Sequence, residues 1–272
     1  MLIRVGFEIS YHALAATPMI VMMRIHPSRQ RDIVGAETIM TEPDVRIRYY
    51  HDSFGNICGR LTAPPGGVTF KLESLVRDSG LPDSVVPEAR PMPVEQLPDE
   101  VLLYLMASRY CETDHLVDFA WSQFGKTTDG WDRVQAINDW VHDHIKFGYE
   151  HARPTKSAFE VFQEREGVCR DFAHLAVTLC RCMNIPARYV TGYLGDIGVP
   201  RDPAPMDLSG WYQVYLSGKW YTFDARHNVP RIGRILMATG RDAADVAIST
   251  TFGRMDLTKF SIITDEFMEP AV

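Results

Sequence analysis

The sequence predicts an α+β protein in which an N-terminal β-sandwich precedes a second domain that opens with helices. Three observations predict this class. Apolar residues alternate with period two over residues 2–77, prolines crowd residues 79–100, and helical spacing of apolar residues begins after Pro98. The chain has 272 residues, of which 46% are hydrophobic, and can bury one or two cores. We therefore expect two domains, residues 1–90 and residues 91–272.

The N-terminal region has the pattern of short antiparallel strands. The two clearest alternating runs comprise Ile3, Val5, Phe7 and Ile9, and then Val45, Ile47 and Tyr49. Residues 52–56 and 64–67 are rich in residue types that form turns, which argues against helices there. A sandwich of about six or seven strands fits this spacing.

A proline-rich segment marks the boundary between the domains, with prolines at positions 82, 87, 91, 93 and 98. Proline stiffens the backbone and lacks the N–H group that helices and sheets require. Beyond this segment, the spacing of apolar residues predicts one helix over residues 101–106 and another over residues 131–145.

The remaining elements alternate between helices and strands. The predicted helices cover residues 155–166 and 168–183, and the predicted strands cover residues 187–194, 211–216 and 219–225. The last two strands are joined by Ser217-Gly218, which favours a hairpin turn. Residues 231–253 are predicted to form a loop with a turn or short helix at residues 242–245.

Charge and composition exclude several classes of function. The net charge of −7 provides no general attraction to nucleic acid or anionic lipid. No apolar run approaches the roughly 18 residues that cross a bilayer, and the N-terminus lacks a signal peptide's apolar region, so we expect a cytoplasmic protein with no nucleic-acid or membrane partner. Five irregularly spaced cysteines predict neither a disulfide framework nor a zinc site, and we expect no metal and no cofactor.

The sharpest local feature is Cys169, which lies two residues after Gly167 and opens a largely apolar helix. The free N–H groups and the dipole of a helix N-terminus stabilise an anion, so we expect a thiol there to lose its proton more easily. The same amides can hold the oxyanion of an acyl-transfer transition state. A cysteine that only packs in the interior is the alternative.

Two longer segments resemble a known family. Residues 167–194, GVCRDFAHLAVTLCRCMNIPARYVTGYL, and residues 211–228, WYQVYLSGKWYTFDARHN, resemble core segments of the bacterial transglutaminase-like superfamily. The β region upstream resembles the N-terminal domain of many bacterial members. The resemblance implies a papain-like transglutaminase core, in which helices pack on an antiparallel sheet, and cysteine acyl-transfer chemistry.

The resemblance also implies a catalytic cysteine, histidine and aspartate. Cys169 matches the nucleophile, and Asp224 matches the acid that orients the histidine. The family's histidine stands two residues before a tryptophan, and Ser209 occupies that position here. A serine hydroxyl cannot take a proton from a thiol near neutral pH. His227 is the candidate replacement, although strand alternation would place it on the face opposite Asp224, and a hydrogen bond within a loop is its alternative role.

Trp211 and Tyr193 are the predicted substrate-binding residues, because Trp211 holds the family's tryptophan position and aromatic strand residues surround the expected cleft. The predicted function is acyl transfer by a peptidase or amidase that acts on a peptide or amide substrate through a Cys169 thioester. The alternative is a family member that has lost its base and acts as a binding or scaffold module.

Overall fold

The computed structural model describes residues 1–268 and confirms the mixed class, with helices and antiparallel sheets. The strands β1 to β15 are, in chain order, Leu2–Ala13, Thr17–Val21, Ile33–Val34, Met40–Glu42, Arg48–His51, Ile57–Ala63, Val68–Arg77, Lys146–Phe147, Glu166–Gly167, Ala187–Tyr193, Ser209–Leu216, Lys219–Phe223, Ile235–Gly240, Ser249–Thr251 and Met255–Glu266. The helices α1 to α5 are Asp99–Leu102, Val117–Phe124, Trp131–His144, Ala158–Glu164 and Cys169–Cys182. Within residues 1–268, no helix combines the length and the apolar content that a membrane span requires.

The N-terminal strands form two antiparallel sheets. The strand order is β15-β1-β7-β3 in the first sheet, where β4 also pairs with β7, and β14-β2-β6-β5 in the second. Ile3, Val5 and Ile9 of β1 are fully buried and join Met19 of β2 and Phe70 of β7 in one hydrophobic cluster. The alternation in the sequence therefore arises because one face of each strand packs into an interior shared by both sheets.

The last two strands return to these sheets and cross the predicted domain boundary. β15 pairs with β1 from Met255 opposite Ala13 to Glu266 opposite Ile3, and β14 pairs with β2. Residues 256–261 of β15 are exposed, so no alternation of buried and polar residues marks the strand in the sequence. Strands β14 and β15 therefore belong to the N-terminal sheets. The predicted boundary had placed residues 249–266 in the second domain.

The second half of the chain packs helices on a four-stranded antiparallel sheet of order β12-β11-β10-β13. α5 lies in the middle of this layer, since 12 of its 14 residues are buried. It contacts β10, β11, α2, α3 and α4. A helix with nearly every residue buried requires such a position, and α5 matches the buried helix predicted over residues 168–183.

Local sequence signals fix the ends of two elements near the site. α4 begins with a capping box, in which the Glu160 N–H donates to Ser157 Oγ and the Ser157 N–H donates to the Glu160 carboxylate. The hairpin of β11 and β12 turns at Ser217 and Gly218, whose φ angles of 47° and 78° are left-handed. This geometry confirms the turn predicted there.

Three regions differ from the sequence prediction. α1 ends at Leu102, and Leu103–Leu105 continues as a 3-10 turn, so the helix predicted over residues 101–106 is shorter. α2 was not predicted. β13 lies inside the segment predicted as a loop, residues 231–253, where it pairs with β10. β13 has only six residues, and turns follow it directly. The sequence therefore shows no clear strand pattern there.

Candidate active site

Cys169 is the first residue of α5 and follows strand β9 after one intervening residue. The Asp171 carboxylate accepts a hydrogen bond from the Val168 N–H at 2.9 Å and caps the start of the helix. Gly167 permits this contact, because a Cβ at that position would lie 2.7 Å from the Asp171 Cβ. Asp171 is fully buried. The turn that presents Cys169 is therefore held by a carboxylate inside the protein.

The Cys169 thiol is half-buried, whereas the other four cysteines are buried. The Gly210 N–H donates to its Sγ at 3.4 Å. Burial raises the pKa of the thiol above its ordinary value, and the Gly210 N–H and the Arg226 guanidinium offset this rise only in part. Burial therefore opposes the easy loss of the thiol proton that the position of Cys169 at a helix N-terminus predicts. Such a thiol needs a neighbouring base to take its proton as it attacks.

Asp224 follows β12 and begins a turn that folds His227 back toward it. The Asp224 Oδ1 atom accepts the backbone N–H groups of Arg226 and His227 at 3.0 and 3.2 Å. The Oδ2 atom lies 2.8 Å from His227 Nδ1. Because the strand ends at Phe223, alternation does not apply to the residues after it. The expectation that Asp224 and His227 face apart is therefore wrong.

Arg234 contacts the same carboxylate. Its Nη2 donates to Asp224 Oδ2 at 2.9 Å, and its Nε donates to Asp83 Oδ2 at 2.8 Å. Burial by itself raises the pKa of Asp224, but Arg234 and His227 outweigh this effect and hold the pKa well below its ordinary value. Asp224 is therefore ionised, and an ionised carboxylate next to His227 Nδ1 favours the tautomer with its proton on Nδ1.

The thiol and the imidazole face one cleft, which we call the Cys169 cleft. Cys169, Ser209, Arg226, His227 and Phe147 are among its lining residues. The Arg226 guanidinium lies 3.9 Å from the centroid of the Phe147 ring and forms no ion pair with any residue in the described part of the chain. Cys169, Ser209 and His227 thus share this wall, and Asp224 holds His227 through Nδ1.

The two predicted substrate-binding residues lie elsewhere, and the structure corrects both predictions. Trp211 is 2% exposed, and its ring centroid lies 5.0 Å from the Arg234 guanidinium. Tyr193 is fully buried in the hydrophobic cluster of the N-terminal sheets. Neither ring is part of the wall of the Cys169 cleft. Trp211 instead supports the arginine that contacts Asp224.

Sequence reasoning missed the residues that support this site. Asp83 lies in the proline-rich segment, 151 positions from the Arg234 that it contacts, and no local pattern links the two. Arg226 lies within the Asp-Ala-Arg-His run, so its position next to Asp224 was visible, but its orientation was not. Between residues 1 and 268, no group of three or more His, Cys, Asp or Glu side chains is arranged to hold a metal ion.

The chain is similar to several known proteins. The sequence model of the transglutaminase-like superfamily matches residues 118–225, which include Cys169, Ser209 and Asp224. A proposed cysteine protease from Cytophaga hutchinsonii is 30% identical, with a TM-score of 0.86, and the match covers 100% of this chain and 92% of that chain. An uncharacterised protein from Mycobacterium leprae is 28% identical over 81% of each chain. Another, from Mycobacterium tuberculosis, is 26% identical over 76% of this chain and 65% of its own length.

Proposed function

Because this chain belongs to the transglutaminase-like superfamily and resembles a proposed cysteine protease along its whole length, we propose that it is a cysteine hydrolase. Its substrate is a peptide or another amide, and the reaction passes through a thioester on Cys169. One observation carries this proposal. The Asp224–His227 pair, with 2.8 Å between Oδ2 and Nδ1, stands at the cleft that Cys169 lines.

His227 supplies the base that Ser209 cannot provide. With a proton on Nδ1, which faces Asp224, the lone pair on Nε2 is free to take the proton of the Cys169 thiol. Sγ then attacks the carbonyl carbon of the substrate, and the ionised Asp224 stabilises the imidazolium that forms. This sequence suits a thiol whose pKa is raised, because no thiolate has to exist before the attack.

The imidazolium next gives its proton to the leaving nitrogen, the C–N bond breaks, and the acyl group stays on Sγ as a thioester. Water then attacks the thioester while His227 takes a proton from it, which releases a carboxylic acid and the free thiol. The backbone N–H of Cys169 has no acceptor among residues 1–268 and lies at a helix N-terminus, so it is suited to hold the oxyanion of both steps.

We also propose that the enzyme acts in the cytoplasm. All five cysteines are free, including Cys180 and Cys182, which are two positions apart. Thiols persist in reducing compartments, and a cysteine nucleophile must stay reduced to react. This support is compositional and independent of the active-site geometry.

The test is mass-spectrometric detection of cleavage in a peptide library. We expect Cys169→Ala to abolish cleavage and His227→Gln to lower kcat/KM by about 10²–10⁴-fold, because the general base is lost. His12→Gln is the matched control, since this histidine is exposed on β1, and it should leave the rate unchanged.

A different result would support the binding or scaffold module. In that case no peptide or amide would be cleaved. In addition, His227→Gln would leave the rate of Cys169 alkylation by iodoacetamide unchanged, because no base would act on the thiol.

A further inference from the structure

Cys169 also borders a second cavity, which we call the apolar cavity. Its walls include Val168, Tyr189, Leu208, Val246, Ala247 and Ile248. The apolar cavity contains about 820 Å³ of empty space, including its open mouth. Cys169, Asp207 and Leu208 line both this cavity and the Cys169 cleft. The thiol therefore lies at the border between the Cys169 cleft and the apolar cavity.

The arginines near the apolar cavity are paired with carboxylates. The Arg170 guanidinium contacts the Asp171 carboxylate at 3.0 Å, and Arg153 contacts Glu160 and Glu164 at 2.9 Å each. Asp207 also borders the cavity, and its Oδ1 atom accepts the Leu208 N–H at 2.7 Å. A carboxylate that entered this cavity would lose its hydration, and it would meet only arginines that are already paired and the carboxyl group of Asp207.

The Cys169 cleft is lined by more polar and charged side chains. They include Arg226, Arg231, His227, Asp196 and Asp202. In the mechanism above, the leaving nitrogen must receive its proton from His227. The leaving half of the substrate therefore has to extend into the Cys169 cleft, where the imidazole lies. The acyl half remains on Sγ, which also borders the apolar cavity.

We propose that the apolar cavity binds an uncharged aliphatic side chain on the acyl side of the scissile bond. This inference rests on the proposed function, since it assigns the two halves of the substrate to the two recesses. Gly210 and Tyr189 both line the cavity, and a Cβ on Gly210 would lie 2.3 Å from the Tyr189 hydroxyl oxygen, so the glycine permits the tyrosine to pack directly on the backbone of β11. The substrates are therefore amides of aliphatic acyl groups, with polar leaving groups.

The experiment uses two irreversible probes of the full chain, N-acetyl-leucyl and N-acetyl-aspartyl chloromethyl ketone. Each probe alkylates Sγ and carries only the acyl side of a substrate, so the measurement does not depend on turnover. The rate of each is divided by the rate with iodoacetamide, and labelling of Cys169 is verified by peptide mass spectrometry. We expect the leucyl probe to react at least about tenfold faster, the scale that apolar pocket contacts and carboxylate desolvation provide.

Ala247→Asp should remove the leucyl preference, because it adds a carboxylate to the wall of the apolar cavity. Ala244→Asp is the matched control, since Ala244 is an exposed neighbour that does not line the cavity, and the preference should remain. Equal normalised rates for the two probes, or an unchanged preference in Ala247→Asp, would overturn the proposal. A leucyl preference without any peptide cleavage would refute hydrolysis and leave the cavity assignment standing. A thiol that resists even iodoacetamide would refute both.

Discussion

At the scale of single residues, Arg226 is a charged side chain that acts on the pKa of the thiol. Its guanidinium lines the Cys169 cleft and lowers the thiol pKa against the larger effect of burial. Glutamine at this position would remove the positive charge, and the thiol pKa should rise further, because an opposite charge favours the thiolate. We expect the pH profile of iodoacetamide alkylation to move to higher pH in Arg226→Gln, with a several-fold lower rate at pH 7.

The matched variant Arg226→Lys keeps the charge and should retain most of the wild-type profile. If Arg226→Gln and the wild type had superimposable profiles, the guanidinium would have no electrostatic effect on the thiol. Mass spectrometry of the alkylated peptide would verify that Cys169, and not a buried cysteine, is the labelled group.

Part of the site was predictable from the sequence, and part was not. Cys169 and Asp224 were accessible because short motifs carry them, and the structure brings both to one site with His227. Trp211 and Tyr193 were misplaced because β10 and β11 are buried along nearly their whole length. A strand covered on both faces has no alternation from which the direction of a side chain can be inferred.

At the scale of elements, Arg234 joins the proline-rich segment to the turn after β12. Its side chain is 7% exposed and pairs with both Asp83 and Asp224. Removal of one partner from a buried ion pair costs about 3–5 kcal/mol. We expect Arg234→Gln to lower the free energy of unfolding at pH 7 by that amount, measured by urea denaturation. Arg241→Gln, which breaks the more exposed pair with Asp245, should cost about 1 kcal/mol or less.

The pH dependence of this effect has a definite sign. The folded pKa of Asp224 lies below its ordinary value. Its contribution to stability is therefore fully present above the ordinary aspartate pKa of about 3.9 and is lost as the pH falls through the folded pKa. Since Arg234→Gln lacks most of this contribution, the gap between the two unfolding free energies should narrow as the pH falls below about 4. A gap that widens on acidification would contradict this role of Arg234.

The elements differ in how far the sequence could predict them. α5 and the β11–β12 hairpin were predictable, because an apolar helix and a Ser-Gly turn are strong local signals. β15 was not, since its pairing with β1 joins residues about 250 positions apart and most of its side chains are exposed. The capping of α4 by Ser157 and Glu160 shows the opposite case, in which four consecutive residues are sufficient.

At the scale of the whole molecule, the two predicted domains share an interior. Tyr193, Ile235 and Met237 come from the sheet that supports α5, yet they are buried in the hydrophobic cluster of the N-terminal sheets. β14 and β15 form a second connection. They follow β13 in the chain and pair with β2 and β1. Disruption of the N-terminal sheets should therefore destabilise the second half as well.

Tryptophan fluorescence can test this coupling, because all five tryptophans lie between residues 121 and 220 and report only on the second half of the chain. Ile9 is fully buried in β1, and Ile9→Ala should cost about 2–5 kcal/mol, since it leaves a cavity. If the protein unfolds as one cooperative unit, the urea midpoint of the tryptophan signal should fall together with that of the far-UV circular dichroism signal. Leu14→Ala, at a side chain that is 80% exposed, should move neither midpoint. A tryptophan midpoint that stays in place in Ile9→Ala would instead establish two halves that unfold independently, and Asp224, His227 and Cys169 would then keep their arrangement without the N-terminal sheets.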